Sequence, residues 1–461
     1  MSNIGIEQSV MQDCINATRE LLGAENPSPI TPRQLPEAIR SIPYGYYGVR
    51  RSTTSLNTTF ERTGSPILHR SLPIQSKFRR CVQRDDGSIA YYLHPSHSRY
   101  TERGEPAKLD GTDGQIMVEI PAHYRKFIRD NEENVIDAKF SMYKLPGFEY
   151  FPLSYMSMGE ANLDRTLLKL SCVINNTTRY RGGNNTSSWD NTYRSLLGMP
   201  ATNLSLGKFR TYAQNRGTNW HPNVYDIYEE IVWLYFCEYA NTNCQLSFNS
   251  TLTQDGYRQG GLGDGVTTWT SSAWNTFNSY NPVVPVGVTL SLGNNTGVVP
   301  YTVYNSSGNA VITFQVPSYR GIENLFGHVW AHTDGILINI QSAAAGGKSL
   351  VYVCHDPEHF ADTLNEHYIL QGEEARTEGY VKNIIFPNIV AAEVGAASTT
   401  GYADYHYTNI PSSGAAVRAC LLGGAASYGA DAGLVTSRSG VAPGYAIASV
   451  GSRLCYIPDL S

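Results

Sequence analysis

Ala419-Cys420-Leu421-Leu422-Gly423-Gly424-Ala425-Ala426-Ser427-Tyr428-Gly429-Ala430-Asp431-Ala432-Gly433-Leu434-Val435, with the later run Val450-Gly451-Ser452-Arg453-Leu454-Cys455-Tyr456, is where small residues crowd between apolar anchors. Gly and Ala lose much backbone entropy on ordering and bury little area in return. Such a segment must be held from outside, which suits a displayed binding face better than a core. The expectation is residue-specific. Leu421, Leu422, Leu434 and Leu454 should point inward. Ala425 to Tyr428, Thr436 to Ser439 and Tyr445 to Ser449 should line one exposed face.

Outward from this segment, the middle of the chain carries two helices. Ser205 suits the cap of a helix bearing Phe209, Tyr212 and Ala213. A longer one is expected to open at Pro222, with Asp226, Glu229 and Glu230 near its positive end. Its stripe Val224, Ile227, Ile231, Leu234 and Tyr235 is joined by Val232, Trp233 and Phe236, so its second half is apolar nearly all round and belongs in the core. Glu229 and Glu230 read as solvated acids of the first turn, because adjacent helix residues point apart and make a poor catalytic pair.

Other parts are read from punctuation. Residues 6–22 repeat Ile6, Val10, Cys14, Ala17 and Leu21 at helical spacing, and a short helix follows Thr31-Pro32. Residues 1–45 thus form a small helical attachment or assembly segment that cannot fold alone. Residues 46–117 are β-rich, either a domain or an extension, with a strand at Ile89–Leu93 and the next at Ile116–Pro121. Asp110-Gly111-Thr112-Asp113-Gly114 lacks EF-hand spacing and reads as a polar turn. Residues 247–316 read as an insertion of hairpins, with β runs at Val283-Val284 and Val311–Phe314. Asp356 before Pro357 reads as the cap of a helix from Phe360 to His367, not as part of a metal cluster with His355, Glu358 and His359.

Composition removes several function classes. In 461 residues the net charge is −5 and the charged fraction 16%, against about 25% in typical domains, with no long basic block to contact nucleic acid. Tyr is plentiful at 31 against 14 Phe, a composition that suits adaptable recognition surfaces. No signal peptide or membrane span is expected, so a soluble protein made in a cytosol is. The eight cysteines form no C-x-x-C pair; reduced, buried thiols are expected, with a Cys420–Cys455 bridge left open.

Two stretches carry a family resemblance. Tyr319-Arg320-Gly321-Ile322-Glu323-Asn324-Leu325-Phe326-Gly327-His328-Val329-Trp330 resembles a core element of the formylglycine-generating-enzyme type of C-type lectin fold. Leu421-Leu422-Gly423-Gly424 together with Val450-Gly451-Ser452-Arg453-Leu454-Cys455 resembles the end of variable proteins diversified by retroelements, among them phage major tropism determinants. The resemblance implies an α+β chain whose C-type lectin-like domain spans residues 118–461, with a variable display region at about 420–455. It implies Ala425, Ser427, Tyr428, Thr436, Ser437, Arg438, Ser439, Tyr445, Ile447 and Ser449 as diversified ligand-binding positions, and Gly423, Gly424, Gly429, Gly433, Gly451 and Arg453 as fixed scaffold. Adenine-directed mutagenesis cannot place Lys, Glu, Gln, Met or Trp at such codons, and residues 423–449 contain none of them.

The function so implied is a virion receptor-binding protein of a phage tail, made in the bacterial cytoplasm. Its partners would be a host-surface glycan or protein and, through residues 1–45, other tail subunits; a homotrimer is implied, and no cofactor or metal. A structural collar or baseplate protein is the alternative. The lectin-type fold also hosts copper-dependent oxidases with two reactive cysteines. Here Cys237 falls in an apolar helix and nothing basic surrounds Cys420 or Cys455, so no enzyme activity is expected.

Overall fold

The computed structural model describes residues 45–459 and, before them, residues 11, 12, 14–16, 18, 31 and 33. Residues 11, 12, 14–16 and 18 are helical; the rest of the expected N-terminal helical segment lies outside the described residues. The chain is a mixed α+β protein dominated by strands.

The long helix Tyr225–Tyr239 sets the centre. Every one of its residues except Asp226 is buried. A helix apolar on all sides can exist in water only if it is enclosed. It packs on the strands Trp220–Val224, Trp330–Gln341 and Tyr47–Ser52. Pro222 does not open it. His221 and Pro222 pair with Cys455 and Leu454, and Asn223 and Val224 pair in parallel with Thr333 and Asp334. The ladder therefore holds this stretch extended up to Val224, the helix cap.

Glu229 and Glu230 are also not solvated. The helix enters the core within its first two turns, so both are buried. Glu230 is neutralised by Arg125, and its Oε1 lies 2.6 Å from His123 Nε2. Both partners stand on the strand His123–Asp130.

The strands form one sheet of fifteen and smaller ones. Across the large sheet run Gly379–Ile384, Tyr405–Tyr407, Ser437–Val441, Ala415–Leu422, Trp330–Gln341, Trp220–Val224, Leu454–Tyr456, Ser154–Ser157, Gln115–Ile120 and Arg79–Gln83, in that spatial order. A five-stranded sheet joins Glu61–Gly64 and Tyr47–Ser52 to Val135–Ser141, His123–Asp130 and Glu149–Phe151. Both sheets thus take strands from either side of residue 118.

Successive residues of a strand point to opposite faces, and that divides the core. Leu422 belongs to the large core around the long helix. Its neighbour Leu421 belongs to a second core with Trp330, Ala425, Ala426, Val450, Trp269 and Trp274. Leu454 joins a third core with Trp220 and Phe209. The expected inward leucines, Leu434 included, are all buried. The helix Leu206–Gln214 is capped by Ser205, whose Oγ accepts from the Lys208 N–H, and it buries Phe209 and Ala213.

The stretch 247–316 holds two short hairpins, as expected, and also a helix, Ser271–Asn278, capped by Thr270. Val283 and Val284 are not a strand: their N–H groups donate to His328 Nε2 at 3.0 and 3.1 Å in place of a neighbouring chain. That ring donates from Nδ1 to Glu160 Oε2 at 2.5 Å, so the two loop bonds fix its tautomer. Asp356 does cap, but only the single turn Pro357–His359. Phe360 then turns extended and buries itself, with its ring 6.0 Å from that of His221, so the helix expected to His367 does not form. Asp110 accepts from the N–H and hydroxyl of Thr112 in a polar turn. Among the described residues no helix is long and apolar enough to cross a membrane.

Candidate functional site

The candidate surface is built where three strands meet. Tyr407 lies beside Arg438 in parallel register, and Arg438 lies opposite Leu421 in antiparallel register. Leu421 sits on the second core, so Tyr407 and Arg438 share that side of the sheet. Tyr405, two residues from Tyr407, has the same orientation. The loop after Leu422 brings Tyr428 over this side.

The result is a run of rings, partly exposed from Tyr380 to Tyr428 and ending on the buried Trp330. Centroids are 5.1 Å apart for Tyr380–Tyr405, 4.6 Å for Tyr405–Tyr407, 5.4 Å for Tyr407–Tyr428 and 5.2 Å for Tyr428–Trp330, mostly edge to face. Such pairs add about 0.5–1.5 kcal/mol each beyond the area they bury. Asp431 fixes two of the rings: Tyr380 donates to its Oδ1 at 2.5 Å and Tyr407 to its Oδ2 at 2.8 Å. Burial, reinforced by that carboxylate, pushes the Tyr380 phenol up to about 12 and raises Tyr407 as well, so both stay neutral donors. At the far side the Arg438 guanidinium stands 5.6 Å over the Tyr445 ring. The arrangement offers flat aromatic area, one cation, one anion and fixed hydroxyls.

Six of the ten expected ligand-binding residues are partly exposed: Ser427, Tyr428, Arg438, Tyr445, Ile447 and Ser449. The other four are buried and cannot meet a ligand from this conformation. Ala425 packs inside the second core. Thr436 donates its hydroxyl to the Asp431 carbonyl at 2.6 Å. Ser437 pairs with His406 Nδ1 at 3.1 Å, and Ser439 donates to Glu374 Oε1 at 2.6 Å. The latter two lie on the sheet side opposite Arg438, as alternation requires.

The scaffold residues have identifiable tasks. Gly423 and Gly424 take φ of 92° and 83°, a left-handed turn that lets the chain leave its strand. At Gly433 a Cβ would come within 1.8 Å of Asp404 Oδ1, and that carboxylate accepts from the Val435 N–H at 2.6 Å. Arg453 is buried, and its Nη2 donates to the carbonyls of Glu323, at 2.5 Å, and of Asn324. One guanidinium therefore ties the terminal segment to the Tyr319–Trp330 stretch.

Tyr380, Tyr405, Tyr407 and Asp431 were not anticipated. The i, i+2 spacing of Tyr405-His406-Tyr407 was the available signal, since it puts both rings on one face of a strand.

Reactive-group chemistry has less to build on. Every described cysteine is free, including Cys420 and Cys455, and all but Cys14 are buried. Burial raises Cys237, Cys244, Cys420 and Cys455 above the usual thiol range, opposite to nucleophile activation. Among the described residues no three His, Cys, Asp or Glu side chains gather as a metal site. No protein-family model matches the chain, and no curated protein matches it in sequence.

Proposed function

We propose that this chain is a host-surface binding protein of a phage tail, with a C-type lectin-like fold. Its recognition face centres on Tyr405, Tyr407, Tyr428, Arg438 and Tyr445. The carrying observation is the ring array pinned by Asp431: rigid, partly exposed Tyr area beside one Arg is what recognition surfaces concentrate. Burial of Leu421 under the array, with Leu422 and Leu454 buried in the other two cores, supports a frame that holds while Ser427, Tyr428, Tyr445, Ile447 and Ser449 vary. Several copies on one virion would convert modest single-site affinity into firm attachment.

The test uses fluorescently labelled full-length protein on a panel of bacterial strains. Binding should appear on a subset of strains. Tyr428→Ala and Arg438→Ala should each weaken it about tenfold or more; Arg438→Ala should keep a melting temperature close to that of the parent, while Tyr428→Ala, which loses two ring pairs, should lower it by a few degrees. Strain binding that survives both substitutions places the contact elsewhere; binding to no strain at all removes the assignment.

A further inference from the structure

Beside Tyr445 the surface dips into an open groove of about 490 Å³. Three segments line it: Asn184 and Asn203 on one side, Ser279 and Tyr280 from the insertion, and residues 446–449, including Ile447 and Ser449, from the terminal segment. No charged residue is among them.

The groove is tied together before any ligand arrives. The Asn203 N–H is shared between the Ile447 carbonyl at 3.0 Å and the Val450 carbonyl at 3.1 Å. The Asn184 N–H donates to Asn281 Oδ1 at 2.9 Å. Tyr280 hydrogen-bonds Ser271 Oγ through its hydroxyl at 3.2 Å and sets its ring edge-on to Trp274 at 5.4 Å. Asn203, Ser279 and Tyr280 hold left-handed backbone at φ of 60°, 55° and 62°. Asn accepts that conformation; Ser279 takes it as the C-cap of the helix Ser271–Asn278, its N–H bonded to the Asn275 carbonyl, and Tyr280 resists it.

Its polar side chains have capacity left. Asn184 Oδ1 accepts from Thr186, which leaves the amide NH₂ open, and the Asn203 carboxamide and the Ser279 and Ser449 hydroxyls make no hydrogen bond within the described protein. An ionic ligand would find no counter-charge here. A large apolar side chain would find no deep pocket. A ligand carrying several neutral hydroxyls and an apolar C–H face matches the amides, the hydroxyls, the Tyr280 ring and Ile447.

We infer that this groove binds a neutral saccharide, as one part of the recognition face proposed above and resting on that reading. The insertion residues Ser279 and Tyr280 then act as a fixed wall, while residues 446–449 supply the wall free to vary.

The experiment titrates the full-length protein with neutral gluco-, galacto- and manno-oligosaccharides, a sialylated oligosaccharide and an uncharged Ser/Thr/Gly peptide, read by saturation-transfer NMR and calorimetry. Asn203→Gly and Ser279→Gly remove the polar groups while keeping backbone that suits φ near +60°, so both should fold. At least one neutral saccharide should bind, and each variant should weaken it about tenfold. Saccharide binding unchanged in both variants, or binding only of the sialylated ligand or the peptide, overturns the inference. Strains bound by the parent with no neutral saccharide taken up overturn it too, yet leave the recognition face standing. A saccharide bound through Asn203 with no strain bound sinks the tail-attachment reading instead.

Discussion

Arg453 shows how one residue secures a surface it never touches. It is desolvated, which lowers its pKa, and its charge is spent on two backbone carbonyls in the Tyr319–Trp330 stretch. Arg453→Met should cost about 3 kcal/mol, because two buried acceptors lose charged donors; thermal unfolding reads this directly. Arg453→Lys should recover part of this, since one ammonium can donate to both carbonyls that Nη2 serves, but it loses the Nη1 contact with the Ser157 carbonyl at 3.5 Å. Glu374 gives a pH signature. Burial pushes its carboxyl up to about 8, with Ser439 as its main donor. In the unfolded chain a Glu releases its proton near 4.3. Between those two values the native state holds the extra proton, so this group's contribution to stability is greatest at the acid end and declines as pH rises to about 8, then levels. Glu229, also raised to about 8 by burial, adds to the same decline. Glu374→Gln should remove its part of this, seen as a rise of the urea midpoint at pH 8 relative to that at pH 5 when compared with the parent. An unchanged difference would mean that Glu374 is ionised in the native protein.

At the scale of elements, the strand Ser437–Val441 has two unlike sides. Ser437 and Ser439 bond inward to His406 and Glu374, while Arg438 faces the Tyr445 ring. Ser437→Ala and Ser439→Ala should therefore lower the melting temperature by a few degrees each and leave strain binding unaltered, the reverse of Arg438→Ala. The same strand shows where reading from sequence ran out. The long helix was legible because apolarity on every side permits only burial. Its start was not, because Pro222 is held extended by Leu454, more than two hundred residues away. The burial of Glu230 depends on Arg125 and His123 about a hundred residues upstream, and that of Ser437 on His406. Small polar residues are ordinarily surface residues, so only the partner reveals the exception. Tyr405–Tyr407 is three residues long, too short for periodicity to register.

For the whole molecule, the decisive fact is where the terminal strand goes. Leu454–Tyr456 does not finish at an edge; it lies inside the fifteen-stranded sheet, between Trp220–Val224 and Ser154–Ser157. Folding must close loops of very different length around it, and neither neighbour has a partner on that side until it arrives. The segment between Gly424 and Val450 is thus bracketed by two central strands, Ala415–Leu422 and Leu454–Tyr456. Substitution tolerance should be sharply divided as a result. Changes at Ser427 and Ser449, which are partly exposed, should shift stability by no more than about 0.5 kcal/mol, and truncation of Tyr445 or Ile447, which rest on the second core, should cost more. Leu454→Asp places an unpaired carboxylate among Trp220, Phe209 and Met117, and should abolish a cooperative unfolding transition. Limited proteolysis distinguishes local from global damage. If the strand is integral, the L454D chain will be cut throughout residues 79–456; cuts confined to residues beyond 423 would show instead that the terminal segment is a detachable cap on an independently folded body.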